Sequence, residues 1–528
     1  MTETFFFGHT TKMQSSRVKR KVSPSELEHP PATRPKTTTT NPPRLYKHAL
    51  ESIFAHLNLR ELGRVSVVCR DWSAAVSSMR PIGARFVAKP MELRIILKSQ
   101  LMGHVAYLCI APVNLRVLAL ARLCDIVSQS KSLVALDLSV NSIGEIGSAA
   151  LAEAIKQSKS LVTVDASTNS IGSVGAASFA EAIKQSNSLA TVNLSYNKIG
   201  DVGATTLAEA IGQSPSIIAI DLSNNRIGVE GASALAGAIK QSKSLTTLEL
   251  ANNLIGADGA VFIAEAITSS SLKVLSLFNN SIGAVGAVAL ADGIKVSRSL
   301  IVLNLDYNAI GDVGAAALAE AIKHSHTLAT VKLGNNAIGD AGASALADAI
   351  GQSLSVAKVE LYDNDIGPNG AIALSGAITQ SKTLTSLSLR HNAIGDVGAV
   401  SIAAAIKKSA SLAMLDLCGN SISDAGVAAL AESIKQSTSL TTIDLCGNSI
   451  GNIGATAIAD AIKQSATLTK VILRCNLIYV EGAVALAEAI KQSKNLAVLD
   501  LSRNSIGAAG AATIADAIEQ SKSRVMVL

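Results

Sequence analysis

Aromatic residues are scarce in this 528-residue chain: one Trp, six Tyr and eight Phe, 3% of the whole. Its core must come from Ala, Leu, Ile and Val, which carry most of the 48% hydrophobic content. Cysteine is rarer still. Six of them, unevenly placed, give no disulfide framework, and a reducing, cytosolic or nuclear location is the expectation. Long apolar runs are lacking too. No stretch has the length and purity of a membrane span. The start, Met1 to Gln14, contains Phe5-Phe6-Phe7 but no extended apolar core of the secretory kind. Charge of one sign is missing from most of the chain. The net charge is +6, and residues 1–43 supply +4 of it, from Lys12, Arg17, Lys19, Arg20, Lys21, Arg34 and Lys36 against Glu3, Glu26 and Glu28. The balanced remainder offers no broad basic face, so nucleic acid is not an expected partner.

Signs of catalysis are also few. From residue 133 onward the only histidines are His324, His326 and His391, and the first two fall on a polar stretch after a helix, where a solvated role fits. No phosphate-loop phrase occurs. No catalytic residue, metal or cofactor is expected, and the chain does not read as an enzyme.

What is abundant is repetition. A 28-residue phrase runs fourteen times from Leu133 to Ser521. Its Asn falls at Asn141, Asn169, Asn197, Asn225, Asn253, Asn280, Asn308, Asn336, Asn364, Asn392, Asn420, Asn448, Asn476 and Asn504. Every step is 28 except Asn253 to Asn280, which is 27, and the missing residue belongs to the polar stretch Thr268-Ser-Ser-Ser271. A loop absorbs such a loss; a packed element does not. Each copy changes period partway. Leu-x-x-Leu-x-Leu alternates near its end as a short strand does. After a pair of glycines the spacing becomes helical, as in Leu151 and Ile155, with Glu153 and Lys156 outward. The first glycine is replaced only by Ser423 and Tyr479; the second is present in all fourteen copies. Such persistence implies a tight backbone requirement. The repeated Asn reads as structural, its side chain bonding the backbone of adjacent turns.

Leu-x-x-Leu-x-Leu-x-x-Asn-x-Ile-Gly resembles leucine-rich repeats of the long α/β type, as in ribonuclease inhibitor and NOD-like receptors. The resemblance implies an α/β solenoid, a curved horseshoe with parallel strands inside and helices outside. Strands spaced ~4.8 Å against helices spaced ~8–10 Å bend the stack, so the strands line the concave wall.

Three regions precede the array. Residues 1–43, with six of the eleven prolines and Thr37-Thr-Thr-Thr40, read as a disordered basic arm. Within it, Arg17-Val-Lys-Arg-Lys21 has the composition of a nuclear import signal or of a plain solvated patch. Residues 44–80 form a small helical module, with Leu50, Ile53, Phe54 and Leu57 on one face and a second stripe at Leu62, Val65, Cys69 and Trp72. Residues 81–132 read as a linker and a degenerate capping repeat. Strands are expected at 91–97 and 105–110 and a helix at 115–127. Residues 133–528 hold the fourteen repeats plus one truncated strand.

The Ile53-Phe54-x-x-Leu57 core and the Val68-Cys69-Arg70-x-Trp72 phrase resemble an F-box. That family docks on a Skp-type adaptor of cullin–RING ubiquitin ligases. The resemblance places Leu45, Leu50, Ile53, Phe54 and Leu57 at or near the adaptor contact, and Val68, Cys69 and Trp72 in the interior. It departs from the family at Tyr46 and His48, both in the adaptor-facing part. Without the resemblance, 44–80 is a helical cap for the solenoid.

Two features mark the strand wall. The residue between the last two strand leucines is acidic or amide in most copies: Asp137, Asp165, Asn193, Asp221, Glu249, Asn304, Glu360, Asp416, Asp444 and Asp500, with Lys332 as an interruption. This is either an attractant for a basic partner or a solvated face. Just past the strand the copies differ most, at Tyr196, Phe278, Asp306, Tyr307, Tyr362, Asp363, Arg390, His391 and Arg474. Exposed Tyr and Arg are frequent anchors, so these are the expected partner-binding residues. Cys418 and Cys446 share one position in adjacent copies, with Cys475 one place on in the next. They read as ordinary thiols rather than as a metal or redox pair.

The resemblances together imply a substrate-recognition subunit of a ubiquitin ligase, with an adaptor at the module and a protein substrate on the concave wall. The alternatives are a scaffold, an inhibitor or a NOD-like sensor, and a GTPase activator of the Ran type. Those activators carry an acidic tail that this sequence does not show.

Overall fold

The computed structural model describes residues 82–88, 105–110, 117–521 and 525–528. The chain divides into two units, residues 1–56 and 57–528, and everything described belongs to the second. The arm, the helical module with Leu45, Leu50, Ile53, Phe54 and Leu57, and the strand expected at 91–97 lie outside the described residues.

The described residues form one parallel sheet of seventeen strands in simple sequence order. Strands β1 (Ile82–Ala88) and β2 (Val105–Ile110) pair first, with an irregularity between Ile82 and Arg85. Helix α1 (Val117–Gln129) follows. The strand at 105–110 and the helix are as the sequence predicts, the helix shifted by two residues. The strand at 82–88 is not, because Ile-Gly-Ala-Arg-Phe-Val-Ala carries no repeat phrase and little alternation. From β3 (Ala135–Asp137) onward each copy supplies a three-residue strand and a helix, ending with Gly507–Gln520 and Met526–Val527.

From β2 onward, outside the one short copy, each strand pairs with the residues 28 positions away, such as Tyr107 with Ala135 and Leu136 with Val164. Across the short copy the offset is 27, Thr247 with Val274, and the register continues unbroken. The loss falls after the helix Gly256–Ile267, in the helix-to-strand turn; a full-length copy has an equally short helix, Gly395–Ile406. In each strand the central side chain points into the core, as Leu136 and Val164 do. On the helices Leu151 and Ile155 meet it there, and Ala152 and Ala154 are buried between neighbouring helices. Alanine's small side chain lets the helices approach. Outward, pairs such as Glu153–Lys156 at 2.6 Å and Glu432–Lys435 at 2.9 Å are surface ion pairs one turn apart.

The Asn of every copy but the last is buried, and Asn504 is half-buried. Asn308 Nδ2 donates to the carbonyls of Leu277, Leu305 and Asp306 at 2.8, 3.0 and 3.0 Å. Its Oδ1 accepts from the N–H groups of Asn280 and Ile282, in the preceding copy, at 2.9 and 3.2 Å. Repeated down the array, this ladder ties each loop to both neighbours and leaves no buried polar atom of the side chain unpaired.

The two glycines have different causes. A Cβ on the second would strike the Ile side chain four residues earlier and the preceding helix; at Gly314 it would meet Ile310 Cγ2 at 2.2 Å and Ala287 Cβ at 2.9 Å. The first glycine takes one of two backbones. Where the previous copy begins its helix with Asp or Asn, that side chain reaches across and accepts two N–H groups of the next helix. Asp312 Oδ1 does so from Gly339 and Gly342 at 2.8 and 2.9 Å. The first glycine is then extended, with φ −94° at Gly339 and −95° at Gly451. Where that residue is anything else, the glycine is left-handed, as at Gly283 with φ +62°. Ser423 and Tyr479 fall in the first class, behind Asp396 and Asn452. Their φ values of −96° and −106° suit any L-residue. Both exceptions in the sequence therefore fall among the places where a left-handed glycine is not needed.

Candidate protein-binding face

Because the strands are parallel and in register, each position of the repeat becomes a row running along the sheet. The first row is the acidic and amide one. Neither expectation for it describes its main work. Asp137, Asp165, Asn193, Asp221, Asn304, Asp416, Asp444 and Asp500 each accept, through Oδ1, the N–H two residues on, at 2.8–3.0 Å. This is the turn that Asx side chains make with their own backbone, and it ends the strand. Second oxygens are also used, as Asn193 Nδ2 to Asp165 Oδ2 at 3.1 Å and Ser388 Oγ to Asp416 Oδ2 at 3.0 Å. Lys332, the exception, faces Glu360 Oε2 at 3.4 Å, and Lys358 holds the other oxygen at 2.7 Å.

The second row reads Ser in the first four copies and then Ala251, Phe278, Asp306, Gly334, Tyr362, Arg390, Cys418, Cys446, Arg474 and Ser502. The third row, one residue on, is left-handed throughout the array, for example φ +58° at Tyr196, +59° at Tyr307, +50° at Asp363 and +52° at His391. That conformation favours Gly and Asn and costs other residues roughly 1–2 kcal/mol. Tyrosine at 196 and 307 is therefore not chosen by the backbone.

Seven of the nine variable residues, all but Tyr196 and Arg474, gather into one sector from Phe278 to His391. Phe278 and Tyr307 touch, with ring centroids 4.9 Å apart. The Tyr362 ring fills the space left by the absent side chain of Gly334, since a Cβ there would lie 2.3 Å from its Cζ. Its hydroxyl crosses two copies to donate to Asp306 Oδ2 at 2.9 Å, and Gly334 N–H donates to Asp306 Oδ1 at 2.6 Å. Asp306 is only 2% exposed. The expectation of an exposed, partner-contacting Asp306 is thereby corrected: it holds Tyr362 in place from beneath. Burial pushes its carboxyl up to about 6, against the lowering effect of those two hydrogen bonds. The same burial, with Asp306 alongside, pushes the Tyr362 phenol upward.

Beside Tyr362 lies a shallow cavity of about 380 Å³ lined by Lys358, Glu360, Tyr362, Asp363, Arg390, His391, Met414 and Asp416, with the serines and leucine of the intervening strand. It brings together four of the predicted residues. Met414 is 43% exposed and Lys358 pairs with Glu360; neither carries a sequence signal, because each is the first residue of its strand and gains its neighbours only through the sheet. Aligning the copies by register rather than reading each separately would have found them. Tyr196, 58% exposed, stands apart, four copies before Tyr307 in the same row. Arg474 is half-buried beyond the cysteines.

Cys418 and Cys446 are adjacent in the second row, and their sulfurs lie with a carboxylate oxygen of Asp444 within 4.8 Å of one another. Burial pushes the Cys418 thiol up to about 12 and raises Cys446 and Asp444 as well, while Arg390 acts in the lowering direction on all three. Gly419 and Gly447 follow the two cysteines, both with positive φ, and the His391 ring lies against Gly419.

Among the described residues no helix is long and apolar enough to cross a membrane. Three solved structures show similarity at low identity. They are the leiomodin-1 actin-binding site 2 (18% identity, 29% of this chain and 87% of that one, TM-score 0.25), an internalin, inlF, from Listeria monocytogenes str. 4b F2365 (18%, 65% and 88%, TM-score 0.39), and TLR13 in its complex with ssRNA13 (17%, 86% and 64%, TM-score 0.48). No curated protein matches the chain. The leucine-rich-repeat family matches nine segments between residues 185 and 515, and the F-box domain family matches residues 43–82. With an F-box ahead of a leucine-rich-repeat solenoid, the chain belongs to the F-box/leucine-rich-repeat proteins.

Proposed function

We propose that this chain is the substrate-recognition subunit of a cullin–RING ubiquitin ligase. The F-box segment engages a Skp-type adaptor through Leu45, Leu50, Ile53, Phe54 and Leu57, and the strand face of the array holds the protein to be modified. The chain itself carries out no chemistry; it raises the effective concentration of target near the ligase. The observation that carries the reading is the F-box match at 43–82 in front of the repeats. Support for the second half comes from the strand face, where aromatic and basic side chains replace the repeat's own preference in one sector around Phe278, Tyr307, Tyr362 and Arg390. A cytoplasmic or nuclear setting goes with this role.

Retention of a recombinant Skp-type adaptor by the full-length chain tests the first half. The expected result is retention that is lost in Ile53→Asp/Phe54→Asp. No retention, where an unrelated F-box protein succeeds in parallel, overturns it. If instead deletion of 44–80 lowers the melting temperature of the repeats with no adaptor effect, the segment is a cap and the chain a scaffold. Proximity labelling in cells tests the second half: Tyr307→Ala/Tyr362→Ala/Arg390→Ala is expected to lose labelled proteins while keeping the adaptor.

A further inference from the structure

We propose that Cys418, Cys446 and Asp444 form a binding site for one thiophilic divalent cation of the zinc class on the strand face. Three observations converge. The three ligand atoms already lie within 4.8 Å of one another. Around a tetrahedral zinc, with bonds of ~2.3 Å to sulfur and ~2.0–2.2 Å to oxygen, they need about 3.6–3.8 Å; small side-chain rotations close the difference. The carboxylate is already oriented, since Asp444 Oδ1 accepts the Cys446 N–H at 2.9 Å, leaving Oδ2 for the metal. That is the kind of outer hydrogen bond that fixes a ligand in place. The surroundings are open on one side: Cys418 is buried, but Cys446 and Asp444 are half-exposed, and glycine follows each cysteine. Water takes the fourth position.

The donor set also explains a choice the fold does not require. Ser139, Ser167, Ser195, Ser223 and Ser502 occupy the same position in other copies, so two adjacent cysteines are a local departure. Two thiolates and one carboxylate carry three negative charges against the cation's two, and Arg390 beside them offsets the remainder. Binding forms two metal–sulfur bonds and sends both thiol protons to the buffer. Because both cysteines bind as thiolates, affinity falls as pH drops, with about two protons released per metal.

The test uses the full chain, reduced with a phosphine and stripped by chelator, titrated with Co²⁺ and then displaced with Zn²⁺. The expected result is one Co²⁺ per chain with a near-ultraviolet thiolate charge-transfer band, reversed by Zn²⁺. Cys418→Ser and Cys446→Ser each abolish the band, and serine at this position in five other copies makes both compatible with the fold; circular dichroism checks that. Cys475→Ser keeps it. Asp444→Asn, which replaces a charged direct ligand with a neutral one, weakens binding while the thiolate band persists at saturating Co²⁺. Absence of the band, or a band that survives in the Cys418→Ser/Cys446→Ser chain, overturns the site.

Discussion

Asp306 shows how one buried carboxylate serves the surface above it. Its folded-state value of about 6 stands above the ordinary 3.8. A raised acid contributes stability that is present below about 3.8 and is lost as pH rises through about 6. Asp306→Asn keeps an acceptor for Gly334 and a partner for Tyr362 without the buried charge. We expect it to remove this pH dependence and to be more stable than wild type at pH 7 by on the order of 2 kcal/mol, measured by urea melts at pH 4, 5, 6 and 7. Equal slopes for the two proteins across that range would contradict it. Tyr196 makes the opposite point. It is exposed in a left-handed backbone, so Tyr196→Asn should stabilise the array by roughly 0.5–1.5 kcal/mol; a lower melting temperature would contradict the backbone argument. The repeated Asn was legible in the sequence because the same letter recurs at one spacing. Asp306 was not. Its partner Tyr362 is 56 residues away, a distance no local pattern marks.

Each helix start is set by the copy before it. Gly339→Ala is expected to be nearly neutral, since φ there is −94° and a Cβ would meet nothing closer than 3.4 Å. Gly283→Ala, at φ +62° in open space, should cost about 1–2 kcal/mol from conformation alone. Asp312→Ala removes the acceptor of two helix N–H groups, for about 0.5–2 kcal/mol. The informative variant is the double one. With Asp312 gone the following glycine is released to the left-handed form, where alanine is penalised, so Asp312→Ala/Gly339→Ala should be worse than the sum of the singles in a double-mutant cycle. Strict additivity in chemical denaturation would show the two backbones to be unrelated to the reaching aspartate. The period, the strand and the helix were all readable from residue spacing. The choice between two glycine conformations was not, because it depends on a residue in a different copy. The strand at 82–88 was hidden for another reason: it has no repeat phrase, and its pairing with 105–110 crosses an irregular register.

Over the whole array, stability is a sum of neighbour contacts, and the Asn ladder is the polar part of that coupling. Asn308→Ala would strand the N–H groups of Asn280 and Ile282 and loosen the Leu277 carbonyl, while the Leu305 and Asp306 carbonyls keep Asn336 Nδ2 and the Asn279 N–H; the cost is on the order of 1–3 kcal/mol for each N–H group left unpaired. Its expected signature is spatial: amide exchange accelerates around residues 277–310 while distant copies keep their protection. Uniform acceleration along 133–521 would mean that the array unfolds as one block. The sequence disclosed the array because fourteen copies average out local noise. It disclosed the binding sector less well, because rows of side chains exist only once the register is known. The aromatic and basic members stood out by residue type. Met414 and Lys358 did not, since each becomes notable only through the neighbour that the sheet places beside it; Asp444 was legible as a member of the acidic row but not as the neighbour of Cys418 and Cys446.

The direction of the Asn bonds carries a consequence for how the molecule is made. The N–H of Ile143 is closed by Asn169, that of Ile171 by Asn197, and so on toward the C-terminus as far as Ile478 and Asn504. A copy leaving the ribosome therefore holds open backbone groups until its successor has emerged. At roughly 5–20 residues per second that wait is roughly 1.5–6 s. Completion of native structure trails translation by one unit, and a ribosome that stalls within a copy leaves the copy before it unsealed.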